Sequence, residues 1–460
     1  MVLILAVATL GLVRPGPVDD WLGVADETTA PSGAATPERS PTPVLMAAAG
    51  GGEEPTAAGV KAALDPLVGA AALGSKVHVA VLDVTSQQVL YARNADVTTT
   101  PASTTKLLTA AAVLAKRGPA YRLTTKAVAG AQQGEVVLVG GGDPTLAVDG
   151  KGLFPGSARL DRLAAQVKKA LGGAKPTRVL VDTSLFSGPE TAQGWSPDDV
   201  SPGGQVSRIQ SLMLNGGRVR PVHHEFGGDP RAGDPAVAAG KAFAKLLGVP
   251  GATVKRGKAP AADGAAGGMA PGTQLGAVQS PPLVQVTDWM LTQSDNTVAE
   301  VLGRQAAIAA GQPATFVGAA QAIEGELREL GLPADEVNLS DASGLSRKNE
   351  ISPALLTGLL ALAAGGQQPA LSSIFGGLPV AGWSGTMEKR FTSPAPHRIG
   401  QGVVRAKTGT LSGVNTMAGE LVTADGRLLV FAIMASGSAN PTTGKAALDK
   451  VVAKLVSCGC

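Results

Sequence analysis

Three short runs in this chain carry residue types that can do chemistry, and their order is informative. Ser103 and Lys106 stand three residues apart in the run Pro101 to Leu108 (PASTTKLL), at the opening of an apolar helix. Positions i and i+3 share a helix face, so hydroxyl and amine fall within hydrogen-bond reach. A serine hydroxyl becomes an effective nucleophile when a neighbouring base takes its proton, and a lysine held neutral supplies that base. Alone the tetrad is a weak signal and reads more readily as a helix N-terminus with a solvated lysine. Ser294, Asp295 and Asn296 follow downstream, and then Lys407, Thr408, Gly409 and Thr410. The order S-x-x-K, S-x-N, K-T-G is far more specific than any member, and its chemistry is attack of a serine on a carbonyl.

Elements of known type must hold these runs in place. A helix over Val60 to Ala71 precedes a hairpin of two strands, Lys76 to Val84 and Gln88 to Arg93, and the Ser103 helix runs to about Lys116. Alternation then predicts short strands at Arg122–Val128, Glu135–Val139 and Arg178–Asp182, with a helix from Ala158 to Leu171. Asp234 is the expected N-cap of a helix from Pro235 to Leu247, with proline in its first turn. Residues 257–276 are an Ala/Gly/Pro-rich loop. Helices at Pro281–Leu291 and Asn296–Ala310 flank the S-x-N turn, and others cover Ala314–Leu330 and Ala354–Ala364. Strands at Val403–Ala406, Met417–Val422 and Leu428–Ala435 are expected to lie adjacent and antiparallel, followed by a helix from Thr443 to Val456.

The 460 residues are 44% hydrophobic and 16% charged, enough for a large core and two domains. A net charge of +3 gives no argument for nucleic-acid binding. Residues 1–16, apolar up to Val13, are expected to be a signal-peptide or membrane-anchor remnant, too short to span a bilayer. Residues 17–55, with Pro, Ala, Gly, Thr and Glu dominating from Thr28 to Pro55, are expected to be a flexible linker. Cys458 and Cys460 lack the second pair that a zinc site needs. His223 and His224, read as neighbours on a strand, point to opposite faces, so no metal is expected there. His78 alternates with apolar neighbours and reads as structural. The glycines at 140–142 precede Pro144, with no G-K-[ST], and read as a tight turn. Ser438 and Asn440 form a second S-x-N in the wrong order, also read as a turn.

On these residues the chain resembles the D-alanyl-D-alanine carboxypeptidase/endopeptidases of the low-molecular-mass class C penicillin-binding proteins. Gly140 to Leu146 (GGGDPTL), Asp182 to Pro189 (DTSLFSGP), Asp341 to Arg347 (DASGLSR) and Leu378 to Met387 (LPVAGWSGTM) extend the resemblance over about Thr56 to Val456. The wide separation of Ser103 from Ser294 is its sharpest marker, because class A β-lactamases and simple carboxypeptidases place these motifs closer. The resemblance implies an α/β (α+β) fold, a penicillin-binding transpeptidase/β-lactamase-like domain with an antiparallel sheet between helices. That domain is split into residues 56–119 and 283–460 by an inserted, mostly-β domain at 120–282.

The resemblance also implies roles. Ser103 is the nucleophile, and Lys106 its base if desolvated beside a second cation such as Lys407. Ser294 relays a proton to the leaving D-alanine, and Asn296 binds the substrate backbone and steadies Lys106. Lys407, Thr408, Gly409 and Thr410 receive the terminal carboxylate, and the N–H groups of Ser103 and Thr410 form the oxyanion hole. Asp182 and Arg347 stand where the family binds the peptide side chain; a turn cap and a surface ion pair are the alternative readings. Peptidoglycan stem peptides are the implied substrate and β-lactams the implied covalent inhibitors, outside the cytoplasm, with no cofactor and no metal. A serine β-lactamase, which needs a positioned base for water, and a non-catalytic penicillin-binding sensor are the competing readings.

Overall fold

The structure, a computed structural model, describes residues 54–225, 227–261 and 270–460. The expected signal or anchor remnant and nearly all of the linker lie outside the described residues. Among the described residues no helix is long and apolar enough to cross a membrane.

Thr56 opens the fold, its hydroxyl accepting from Gly59 N to cap α1 (Ala57–Val68). The hairpin β1 (Lys76–Asp83) and β2 (Val89–Arg93) follows, then α2 (Thr105–Arg117). Next come β3 (Thr124–Ala129), β4 (Glu135–Val139), α3 (Leu160–Ala170), β5 (Arg178–Asp182), α4 (Pro235–Leu247), β6 (Lys255–Arg256) and β7 (Gln274–Gln279). Four helices, α5 (Leu283–Thr292), α6 (Asn296–Ala309), α7 (Phe316–Glu329) and α8 (Pro353–Ala364), precede β8 (Arg405–Leu411), β9 (Val414–Val422), β10 (Leu428–Ser436) and α9 (Pro441–Val456). As expected, Asp234 caps α4, its carboxylate accepting from Val237 N.

Two five-stranded sheets organise these elements. The first has the order β8-β9-β10-β1-β2, antiparallel throughout, so strands from both ends of the described chain share one ladder. Its central strand β10 shows why helices must cover both faces. Val430, Ala432 and Met434 enter a core with α2, α5, α6, α7 and α8, while Leu429, Phe431, Ile433 and Ala435 enter a second core with α1 and α9. Successive strand residues point to opposite faces, so a strand apolar at every position is buried on both. Between the sheet and its helices, α2 is buried along Thr105 to Leu114, the polar Thr105, Lys106 and Thr109 included.

The second sheet, β6-β5-β4-β3-β7, is mixed, with β4–β5 and β5–β6 parallel. Helices α3 and α4 cover it and share a third core with it, so this region carries as much helix as strand. The expected loop over 257–276 ends earlier than its composition implies, because β7 begins at Gln274 and pairs with Thr124 to Val128 of β3. Its sequence, QLGAVQ, has weak strand preference of its own; a free edge on β3 provides the ladder. The run around His223 and His224 is also not a strand but loop. His78 is nearly buried, with Nδ1 3.2 Å from Asn94 O. Asp143 forms the expected tight turn, its carboxylate accepting from Thr145 N and Oγ1, and Asn440 caps α9. Cys458 and Cys460 are joined as a disulfide, and the Cys460 carbonyl accepts from Thr56 N, tying the C-terminus to the start of α1.

Candidate active site

Ser103 lies in a single 3-10 turn, Ala102–Thr104, that leads directly into α2. The residue before it, Ala102, has φ +48°, a left-handed conformation that a non-glycine residue holds only when its surroundings impose it. Hydrogen bonds impose it here. Thr105 Oγ1 donates to Ala102 O at 2.9 Å, and Thr104 Oγ1 and Thr416 Oγ1 both donate to Pro101 O, at 2.7 and 2.8 Å. Two glycines let backbone close around the turn. A Cβ on Gly344 would lie 1.8 Å from Ala102 O, and one on Gly409 would lie 2.2 Å from Thr416 Oγ1 and 2.9 Å from Ser103 N. The glycine of K-T-G is therefore what allows β8 to run beside the serine.

In the first turn of α2, Lys106 is fully buried and its Nζ donates three hydrogen bonds: to Ser103 Oγ at 2.9 Å, Asn296 Oδ1 at 2.7 Å and Ser343 O at 2.7 Å. Burial brings its pKa down to about 8, against the opposing pull of Asp341, Glu300 and Asp295. Lys407 is also fully buried; burial, and then the charge of Lys106, hold it well below an ordinary lysine. Its Nζ donates to Ser294 Oγ at 2.9 Å and to Thr408 O at 2.8 Å. Lys106 is thus eased toward the neutral amine by desolvation, while the expected influence of a second cation is seen in the other direction, from Lys106 onto Lys407.

Ser294 occupies the turn between α5 and α6 at φ +57°. Asp295 caps α6 by accepting from Val298 N, and its carboxylate meets Arg218 Nη2 at 2.9 Å, both side chains buried. Burial would raise Asp295, but Arg218 and Arg231 hold it far below the usual carboxylate range. Arg218 also pairs with Asp229 at 2.9 Å. Asn296 is oriented from both ends of its amide, Oδ1 accepting from Lys106 and Nδ2 donating to Gln205 O at 3.1 Å. It steadies the lysine, as expected, and its N–H₂ already has a partner on the protein.

These groups border a cleft of about 860 Å³ whose lining includes Ser103, Ser294, Asn296, Arg347, Thr408 and Thr410. Lys106, Lys407 and Gly409 lie directly behind that surface. Arg347 is at the rim, where its Nη2 donates to Ser412 O at 2.8 Å. Asp182 is not in the cleft, which corrects the role inferred from resemblance. It is nearly buried in the second sheet, where its two oxygens accept from Ser184 N and Ala259 N, both at 2.8 Å, and cap a turn. Among the described residues no group of three His, Cys, Asp or Glu is placed to hold a metal. Nδ1 of His223 lies 3.1 Å from Arg218 Nη2, and Nδ1 of His224 lies 2.6 Å from Asp229 Oδ1.

Sequence reasoning missed the support behind Lys106. Asp341 holds the Asp341–Arg347 turn by accepting from Gly344 N, Ser346 N, Asn349 Nδ2 and Trp195 Nε1. Glu300 accepts from Ala342 N at 3.1 Å; burial, with Asp341 nearby, pushes its pKa up to about 8. Its one legible signal is the spacing to Asn296, four residues and so one helix face. Thr386 was missed as well; its hydroxyl is 2.7 Å from that of Thr408 at the cleft wall.

An antiparallel sheet between helices, with a serine and a buried lysine at the mouth of the central helix, defines the class of the penicillin-binding, β-lactamase-like proteins. The crystal structure of penicillin-binding protein 4 from Haemophilus influenzae shares this fold, with a TM-score of 0.67 and 23% identity over 86% of this chain and 98% of that one. More particularly, the chain belongs to the D-Ala-D-Ala carboxypeptidase 3 (S13) family, whose profile matches residues 60–232 and 226–455. It is 39% identical to a carboxypeptidase of Mycobacterium tuberculosis over 93% of this chain and 90% of that protein. It is 40% identical to the carboxypeptidase DacB of Mycolicibacterium smegmatis, over 83% and 80% respectively. Its activity is that of a serine-type D-Ala-D-Ala carboxypeptidase acting on peptidoglycan peptides.

Proposed function

We propose that Ser103 attacks the carbonyl of the penultimate D-alanine while Lys106, as the neutral amine, takes its proton. The observation that carries this reading is the 2.9 Å hydrogen bond between Lys106 Nζ and Ser103 Oγ, made by a lysine with no exposure to solvent. A tetrahedral oxyanion is then held by the N–H groups of Ser103 and Thr410. Ser294, bonded to Lys407, passes a proton to the leaving D-alanine nitrogen. Thr408 and Thr410 receive the terminal carboxylate through their hydroxyls, and the arriving carboxylate favours the charged form of Lys407 behind them. Water then releases the acyl group. Residues 120–282, whose strands and helices share a core of their own, act as a domain inserted into the catalytic one. The protein works outside the cytoplasm, where its substrate lies, anchored or released through its N-terminal segment.

The same reading makes β-lactams covalent inhibitors, and the Haemophilus influenzae relative has been solved in complex with one. Ser103 attacks the lactam carbonyl with the same help, but the leaving amine stays tethered and blocks the path of water. Intact-mass spectrometry after brief exposure to benzylpenicillin should show one added drug mass on the peptide containing Ser103, absent in Ser103→Ala. Release of D-alanine from a pentapeptide should vanish in the same variant. Rapid turnover of penicillin would point to a lactamase, and a chain that takes up no drug would lack a working site.

A further inference from the structure

Beside the catalytic cleft lies a smaller recess of about 310 Å³, on the face of α5 that carries Gln285, Asp288 and Trp289. Its floor is aromatic, the rings of Trp289 and Phe154 lying 4.9 Å apart at 60°. Two polar groups in this wall are anomalous: the Nε1–H of Trp289, buried without an acceptor among the described residues, and Asp288. The Asp288 carboxylate has no hydrogen bond and no ion pair among the described residues; Oδ1, toward Gly376 and Gly377, is shut off from solvent without a donor, which leaves Oδ2 as the oxygen a ligand can reach. Burial pushes its pKa up to about 6, and no cation offsets it. A half-buried carboxyl lacking a partner costs stability unless something outside the chain completes it.

We propose that this recess is a binding site for a primary ammonium on a small apolar body, held by Asp288 and by the ring faces of Trp289 and Phe154. A carboxylate supplies the charge-assisted hydrogen bond, and aromatic faces attract the same cation through their quadrupoles. A neutral hydroxyl could donate to Asp288 but without the assistance of charge, and an anion would be repelled. The volume is at the lower end of small-molecule sites and admits one ring with a short chain.

Isothermal titration of the full-length protein with benzylamine at neutral pH tests the site, with benzyl alcohol as the uncharged match. Benzylamine should bind at least about tenfold more tightly than the alcohol, the scale of one charge-assisted hydrogen bond. Asp288→Asn should lose that advantage. Gln285→Lys, an exposed helix position three residues before Asp288, should lose it too by presenting a tethered ammonium to the carboxylate. Ser103→Ala should bind benzylamine as wild type does, which separates this recess from the catalytic cleft. Equal binding of amine and alcohol, unchanged affinity in both Asp288→Asn and Gln285→Lys, or no binding by wild type would each overturn the proposal.

Discussion

The side chain that decides this site is Lys106, and what matters about it is its proton. With a pKa of about 8, set first by burial, it is largely protonated at pH 6 and largely free base at pH 9. If the free base activates Ser103, acylation by benzylpenicillin should slow about tenfold per pH unit below that value. Stopped-flow rates unchanged between pH 6 and 9 would exclude Lys106 as the base. Glu300 makes a separate prediction about stability. Its folded pKa of about 8 stands above its ordinary 4.5, so between these values the folded state binds the extra proton and stability falls as pH rises. Lys106 has the opposite sign, since its folded pKa lies below its ordinary 10.5 and stability is regained as pH rises from about 8. Denaturant melts of Glu300→Gln should therefore show a flatter decline from pH 5 to pH 8 than wild type, and an identical slope would refute the assignment. Ser103, Lys106, Ser294, Asn296 and the K-T-G run were legible as types and spacings. Asp341 and Thr386 were not, and Glu300 only by its spacing to Asn296, since the groups they meet, Trp195, Thr408 and Ala342 among them, lie elsewhere in the chain.

Among the elements, β8 has the tightest tolerance, because it must run beside the Ser103 turn without a side chain between them. In Gly409→Ala the added Cβ would press on Thr416 Oγ1 and Ser103 N. The Thr416–Pro101 hydrogen bond, which helps hold Ala102 in its left-handed conformation, would then shift. Misplacement of a nucleophile by roughly an ångström costs about 10²-fold in rate. Acylation of Gly409→Ala should fall on that scale while circular dichroism shows a folded protein, and wild-type rates would show that the close approach does not matter. Helix α4 was readable from Asp234 and Pro235, because a cap is a local arrangement. Strand β7 was not readable from its own residues, because it exists by pairing with the edge of β3. Nor was the place of Asp182, whose carboxylate is used up by two backbone N–H groups, one of them from Ala259 across the sheet.

At the scale of the whole molecule, the antiparallel sheet joins β1 to β10, pairing Lys76 with Ser436, so neither flank of the second sheet completes it alone. For the chain around it, a reporter fused after Pro55 that is active only outside the cytoplasm should be active in cells, and activity confined to a cytoplasmic reporter would contradict an extracytoplasmic site of action. By itself the sequence determined the order and types of the three motifs, the caps, and the continuous apolar run that makes β10 a strand buried on both faces. All of these depend on residues close together in the chain, where spacing maps directly onto geometry. The tertiary structure alone decided that Lys106 is desolvated, that Ser343 joins Asn296 in holding its amine, and that Asp182 lies outside the cleft. Burial and long-range pairing depend on which surfaces meet once α2 is enclosed between sheet and helices, and residue spacing carries no record of that.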